Sequence, residues 1–284
     1  MRVNTFADAD AHVGEGPVWD DRTGVLHWVD IFRGRVHTTD FETRKTATLT
    51  VGTTVGAVAP RSTASGYVAA IGEGFGVIAA DGGLEITNAF LPGDTRMNDA
   101  KCDARGRLWA GSCALDFTAG RGALHVLDTD FTTRTVLDGW TLPNGLGWSP
   151  EADLFYLVDS LERSISVWDY DLESASLSNH RILTTFGIEE GLPDGLSVDT
   201  NGNVWVAMWG GGRVVQLSPE GRKLESVELP VQQPSSCAFA GAQRDTLVVT
   251  SARQALARPA AIDGSVLALH DTGSCGTDVA FFGG

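Results

Sequence analysis

Asp103-Ala104-Arg105-Gly106-Arg107-Leu108-Trp109-Ala110 is a polar turn signal that runs straight into apolar residues. The same frame returns at Asp199-Thr200-Asn201-Gly202-Asn203-Val204-Trp205-Val206 and at Asp20-Asp21-Arg22-Thr23-Gly24-Val25-Leu26-His27-Trp28-Val29. Asp, Asn and Gly favour a tight turn, and the β-branched and aromatic residues beside it favour strands. Two further copies, Ser149-Pro150-Glu151-Ala152-Asp153-Leu154-Phe155-Tyr156-Leu157-Val158 and Ala240-Gly241-Ala242-Gln243-Arg244-Asp245-Thr246-Leu247-Val248-Val249, keep the frame without the glycine at that place. A degenerate copy lies at Arg61-Ser62-Thr63-Ala64-Ser65-Gly66-Tyr67-Val68-Ala69-Ala70.

The copies start near residues 20, 61, 103, 149, 199 and 240, about 41 to 50 residues apart, which is the period of a four-stranded propeller blade. The chain therefore reads as all-β, one six-bladed β-propeller over residues 1–284, with no linker or composition break. Stretches such as Ser164-Ile165-Ser166-Val167-Trp168-Asp169 and Gly212-Arg213-Val214-Val215-Gln216-Leu217 supply the later strands of their blades. A blade left open presents an unpaired edge. Val3–Phe6 is accordingly expected to pair near Val266–Leu269 and close the ring.

Composition agrees with this reading. The 34 glycines suit many turns, 43% hydrophobic residues suffice for a core, and no stretch carries the apolar stripe of a long helix. A net charge of −15 repels phosphate backbones and anionic lipid, so neither nucleic acid nor a membrane is an expected partner. No signal-type apolar segment or 18-residue apolar run is present, so the expectation is a cytoplasmic protein, monomeric or a small homo-oligomer. Cys102, Cys113, Cys237 and Cys275 show neither CxxC nor zinc-finger spacing and are expected to be buried structural residues.

The chemistry sits five residues ahead of each turn signal, where the six copies carry Glu15, Gly56, Asn98, Asn144, Asp194 and Ser235. Equivalent positions in a propeller share one height around the central channel, so these side chains converge although they are far apart in sequence. Glu15, Asn144 and Asp194 supply two carboxylates and an amide oxygen, a hard oxygen set suited to calcium, magnesium or manganese rather than structural zinc. The competing explanation is that Asn144-Gly145 and Asp194-Gly195 are hairpin turns. Against it, both pairs occupy one repeat position before an inner strand, and Gly14-Glu15-Gly16-Pro17 places an acid there with no such turn.

At these residues the sequence resembles the SMP-30/gluconolactonase family over nearly the whole chain. The resemblance is carried by Gly14-Glu15-Gly16-Pro17-Val18-Trp19, Arg96-Met97-Asn98-Asp99-Ala100-Lys101-Cys102-Asp103, Gly106-Arg107-Leu108-Trp109-Ala110-Gly111, Pro143-Asn144-Gly145-Leu146, Tyr156-Leu157-Val158-Asp159-Ser160, Pro193-Asp194-Gly195 and Gly211-Gly212-Arg213-Val214. It implies a metal on the propeller axis, held by Glu15, Asn144 and Asp194, with Arg96 and Asn98 contacting a sugar lactone. Some sugar-lactonase relatives carry an acidic loop residue, after the third-blade glycine, that touches substrate hydroxyls. The segment Ser112-Cys113-Ala114-Leu115-Asp116-Phe117-Thr118 has no clear counterpart to it.

The resulting expectation is hydrolysis of a small lactone, an aldonolactone such as gluconolactone first, with one divalent cation. Calcium leads, and zinc, manganese and magnesium stay open. A cation polarises the carbonyl and lowers the pKa of bound water. Asp194 is the candidate base, although the cation would reduce its basicity and leave it to position water instead. Arg96 would hold substrate oxygens, a surface ion pair being the alternative. Asp159 at a strand end and Trp209 beside Gly210–Gly212 are secondary candidates, while His12 and His125 have no partners at ligand spacing. Phosphotriester hydrolysis and non-catalytic calcium binding are the rival functions.

Overall fold

One carboxylate organises each of the best turn signals. Asp103 Oδ1 accepts the backbone N–H groups of Arg105 and Arg107 at 2.9 and 3.1 Å, and its Oδ2 accepts Trp109 Nε1 at 2.9 Å. Asp199 repeats the arrangement with Asn201 N, Asn203 N and Trp205 Nε1 at 2.9, 2.9 and 3.1 Å. Gly106 and Gly202 take the left-handed conformation each turn requires, with φ of 77° and 80°. Turn and tryptophan are thereby held by one side chain, and both indoles are fully buried.

The computed structural model describes residues 1–284 and folds them into six four-stranded antiparallel sheets. The innermost strands are Gly14–Asp20, Val55–Pro60, Thr95–Cys102, Pro143–Trp148, Leu192–Val198 and Pro234–Ala240, one per blade. The N-terminal strand Arg2–Ala7 is the outermost strand of the sixth blade, with Val3 opposite Leu269 and Thr5 opposite Leu267. This is the closure the sequence predicts. The only helical turn is the short 3-10 segment Ile188–Glu190, and no helix is long and apolar enough to cross a membrane.

Apolar residues face the gaps between blades, and six clusters fill the six gaps. Between the third and fourth blades, for example, Trp109, Leu124 and Val126 meet Leu146, Phe155, Leu157 and Trp168. Between the sixth and first, Val248, Val266 and Ala268 meet Trp19, Leu26 and Trp28. The apolar cores lie between sheets, with a few buried polar pairs such as His27–Tyr67 and Ser112–His125 among them, and the axis is left to polar side chains.

Every innermost strand also loses register at the same place. The pairing shifts between Glu15 and Val18, Val55 and Ala57, Met97 and Ala100, Pro143 and Leu146, Pro193 and Leu196, and Pro234 and Ser236. A bulge bends the strand and re-aims side chains, and each bulge falls at the repeat position of Glu15, Gly56, Asn98, Asn144, Asp194 and Ser235. Asn144-Gly145 and Asp194-Gly195 are thus interior to strands rather than hairpin turns.

After His270 the chain crosses the face that carries the turn signals. Gly276 bridges Asp199, Phe282 bridges Arg61, and Phe282 is fully buried against Phe131 and neighbours in the second and third blades. Cys102, Cys113 and Cys237 are buried as expected, whereas Cys275 on this segment is exposed.

Candidate active site

The six bulges lie at the starts of the innermost strands, away from the turn face, and there a cavity of about 260 Å³ opens on the axis. Glu15, Arg96, Asn98, Asn144 and Asp194 all line it. They come from four blades and are each at least 93% buried.

Close backbone approach sets their spacing. A Cβ on Gly145 would lie 2.4 Å from Leu196 N and 2.5 Å from Asp194 O, so the strand bearing Asn144 packs backbone to backbone against that bearing Asp194. Asn144 donates through Nδ2 to Ser160 Oγ at 3.1 Å, which leaves its Oδ1 as the acceptor available to a ligand. Glu15 Oε2 accepts Gly16 N at 2.8 Å. Asp194 Oδ1 is buried with no hydrogen-bond partner.

Arg96 Nη1 donates to Met97 O at 2.9 Å and to Asn98 Oδ1 at 2.7 Å, and its guanidinium lies 5.2 Å over the Phe32 ring. Asn98 Nδ2 donates to Pro143 O at 3.0 Å. Asn98 is therefore a brace between Arg96 and the fourth blade, and the guanidinium retains Nε and Nη2 for a ligand.

Charge is concentrated and poorly compensated. Burial, with Asp99 second, pushes the Glu15 carboxyl well above the ordinary carboxylate range, against the Gly16 N–H and Arg96. Burial raises Asp194 in the same way, followed by the charges of Glu15 and Asp99. Asp99 is itself raised by burial, with Lys101 opposing. Lys101 is lowered by burial and donates to Leu196 O at 2.9 Å. Facing buried carboxylates call for a cation, and the orphaned Asp194 Oδ1, with Glu15 and the free Asn144 Oδ1, fits one with oxygen preference. No group of three or more His, Cys, Asp and Glu is arranged for a metal, and the set that lines the cavity is two carboxylates with the Asn144 amide oxygen.

Several side chains in this site escape a period-two reading. Asp99 follows Asn98 directly and an unbroken strand would point it away, but the bulge between Met97 and Ala100 leaves its charge felt by both Glu15 and Asp194. Ser160 and Gln254 line the cavity from just past strand ends and Gln233 from just before the strand Pro234–Ala240, and Trp209 joins them. Asp159 does not line it. Its carboxylate accepts Thr141 N and Leu142 N at 2.9 and 3.1 Å, a strand-end role. His125 is buried on Ser112 Oγ at 2.8 Å, and His12 lies edge-on to Phe32.

A six-bladed propeller with buried carboxylates, amides and a guanidinium converging on an axial cavity defines a class of small-molecule site in the mouth of a closed β-structure. The profile of the SMP-30/gluconolactonase/LRE-like region matches residues 13–253. Pig regucalcin is 36% identical, with 90% of this chain and 88% of that protein aligned. YvrE of Bacillus subtilis, whose sugar lactone lactonase activity is itself inferred, is 35% identical over 87% and 86%. A luciferin-regenerating enzyme superposes with a TM-score of 0.93 at 29% identity, covering 99% of both chains. The calcium-binding protein regucalcin of Agrobacterium tumefaciens superposes at 0.91, over 98% of this chain and 96% of that one, where 23% identity speaks for the fold alone. The chain belongs to the SMP-30/gluconolactonase family.

Proposed function

We propose that this protein hydrolyses a small lactone with the aid of one divalent cation held by Glu15, Asn144 and Asp194. The observation that carries the reading is the buried, unpartnered Asp194 Oδ1 in the cavity that Glu15 and Asn144 share. Family membership supports a lactonase over the rival phosphotriesterase. When bound, the cation supplies a Lewis acid for the carbonyl oxygen and favours ionised water.

The chain's own residues do the rest. Arg96 orients the lactone through charge-assisted hydrogen bonds from Nε and Nη2, and Asn98 fixes the guanidinium so that little rotamer freedom is lost on binding. Asp194 takes the proton of the attacking water. The apolar walls, Val13, Ile31, Leu142 and Leu192 among them, limit bulk water and strengthen each of these interactions.

The test is hydrolysis of gluconolactone and of a phosphotriester by chelator-stripped protein and by protein resupplied with Ca²⁺, Mn²⁺, Zn²⁺ or Mg²⁺. Lactone turnover restored by a cation and absent without one is the expected result. Full turnover in protein shown to be metal-free refutes the metal, turnover of the phosphotriester alone transfers the site to the rival, and cation binding with neither activity makes the protein a non-catalytic binder.

A further inference from the structure

The cavity changes character between floor and mouth. On the floor, Glu15, Asn98 and Asp194 are 4–5% exposed, while at the mouth Phe32, Phe117 and Leu161 stand 39–40% exposed. Large apolar side chains left in solvent around one concave opening mark a contact surface for something apolar. Trp209, half-buried, lines the cavity from the fifth blade and packs against the buried cluster that holds Val13 and Ile31.

The loop carrying Phe117 is built to present that ring. Phe117 has φ of 58°, a left-handed turn conformation it shares with nine other non-glycine residues of the chain, and of these only Phe117 and Ala255 line the cavity. Leu115 N donates to Asp94 O at 2.9 Å, Phe117 N to Ala114 O at 3.1 Å, and Thr118 N to Asp116 Oδ1 at 3.0 Å. Asp116, the acid of this loop, is thus turned onto Thr118 and is absent from the cavity lining, where Phe117 stands. Gln233 donates through Nε2 to Gln254 O at 2.7 Å, so the polar groups of the outer lining, the Gln233 and Gln254 amides, stand together on the sixth-blade side. On the side of Phe32, Phe117 and Leu161 the mouth offers apolar surface, where recognition of hydroxyls would need polar groups.

We infer that the collar of Phe32, Phe117, Leu161 and Trp209 receives an apolar substituent of the substrate, so that the preferred lactone carries a short alkyl or aryl group beyond the ring held by Arg96. This rests on the lactonase reading above. A bare aldonolactone would use only the inner half of the site.

The experiment measures kcat/KM for δ-lactones bearing no substituent, methyl, propyl or pentyl, with the cation-loaded protein. Each buried methylene is expected to raise kcat/KM by about two- to fourfold until the collar is covered. Phe117→Ala and Leu161→Ala should bring that increment down toward one. A flat series in protein that hydrolyses the unsubstituted lactone overturns the inference and spares the lactonase reading. A flat series with concentration-dependent sedimentation assigns the collar to a second copy of the chain, which also overturns it. Should no lactone be hydrolysed, the lactonase reading fails, and binding of the matching δ-lactams, followed by tryptophan fluorescence, decides the collar alone. Affinity that climbs with chain length supports it, and a flat response refutes it.

Discussion

Gly145→Ala tests whether backbone contact between blades sets the geometry of the site. The new methyl would meet Leu196 N at 2.4 Å, Asp194 O at 2.5 Å and Gly195 C at 2.8 Å, all of them backbone atoms of the neighbouring innermost strand. No side-chain rotation relieves such contacts. Ordinary separation returns only if that strand withdraws by roughly 1 Å. Overpacking of this kind costs about 1–3 kcal/mol, and at ~2–4 °C per kcal/mol the melting temperature should fall by roughly 2 to 12 °C. The displaced strand carries Asp194, so kcat/KM should also fall, by up to about 10²-fold for a shift of that size. Gly93→Ala is the control, since its methyl meets nothing within 4 Å and Gly93 has no left-handed φ. Thermal unfolding by circular dichroism and initial-rate lactone hydrolysis read both variants. If Gly145→Ala melts and turns over like Gly93→Ala, the strands do not bear on each other as described.

Asp194→Asn keeps shape and one ligand oxygen but removes charge, and should lower turnover by about 10²- to 10⁴-fold with an unchanged far-ultraviolet spectrum; near-normal rates would leave Asp194 a framework residue only. Arg96→Ala should cost roughly 1.5–3 kcal/mol in kcat/KM, with cation affinity by calorimetry nearly unchanged. A loss of cation binding instead would move Arg96 into the metal site. His125, which burial lowers from 6.5 to about 4, takes up a proton in the unfolded chain before the folded one as pH falls. Its contribution is therefore complete above pH 6.5, lost progressively between 6.5 and 4, and constant below. The difference in melting temperature between the wild type and His125→Asn should change across that window, and a constant difference contradicts a buried neutral imidazole.

The blades were legible because their turns depend on local chemistry: Asp103 and Asp199 each hold a turn and an indole with one carboxylate, and that requirement writes the same letters at a fixed interval. The ring of Glu15, Asn98, Asn144 and Asp194 followed from repeat position alone. What the letters do not carry is register. The bulge after Met97 is a property of pairing with Leu108–Ala114, so Asp99 drops out of an alternating pattern while its charge acts on the site. Phe117 was hidden for a related reason, since its loop is tied down by Leu115 N donating to Asp94 O and Phe117 N donating to Ala114 O, which no spacing announces. The crossing from His270 to Gly284 lacks periodicity, and its place is fixed by isolated bridges at Gly276 and Phe282.

Pairing of Arg2–Ala7 with Val266–His270 also has a temporal side. Among the strands of the ring, Arg2–Ala7 is made before any other and is the last to find its partner, because roughly 260 residues separate them, about 13 to 52 s of synthesis at ~5–20 residues per second. For that interval the sixth sheet does not exist and the amino-terminal strand must remain unpaired. Its exposed Arg2, Asn4 and Thr5 offer little for another edge to grip. The axial cavity draws on five blades, the sixth through Gln233 and Gln254, so a nascent chain cannot complete its lining before the sixth blade is made, and the ring around it is sealed only by the strand Arg2–Ala7.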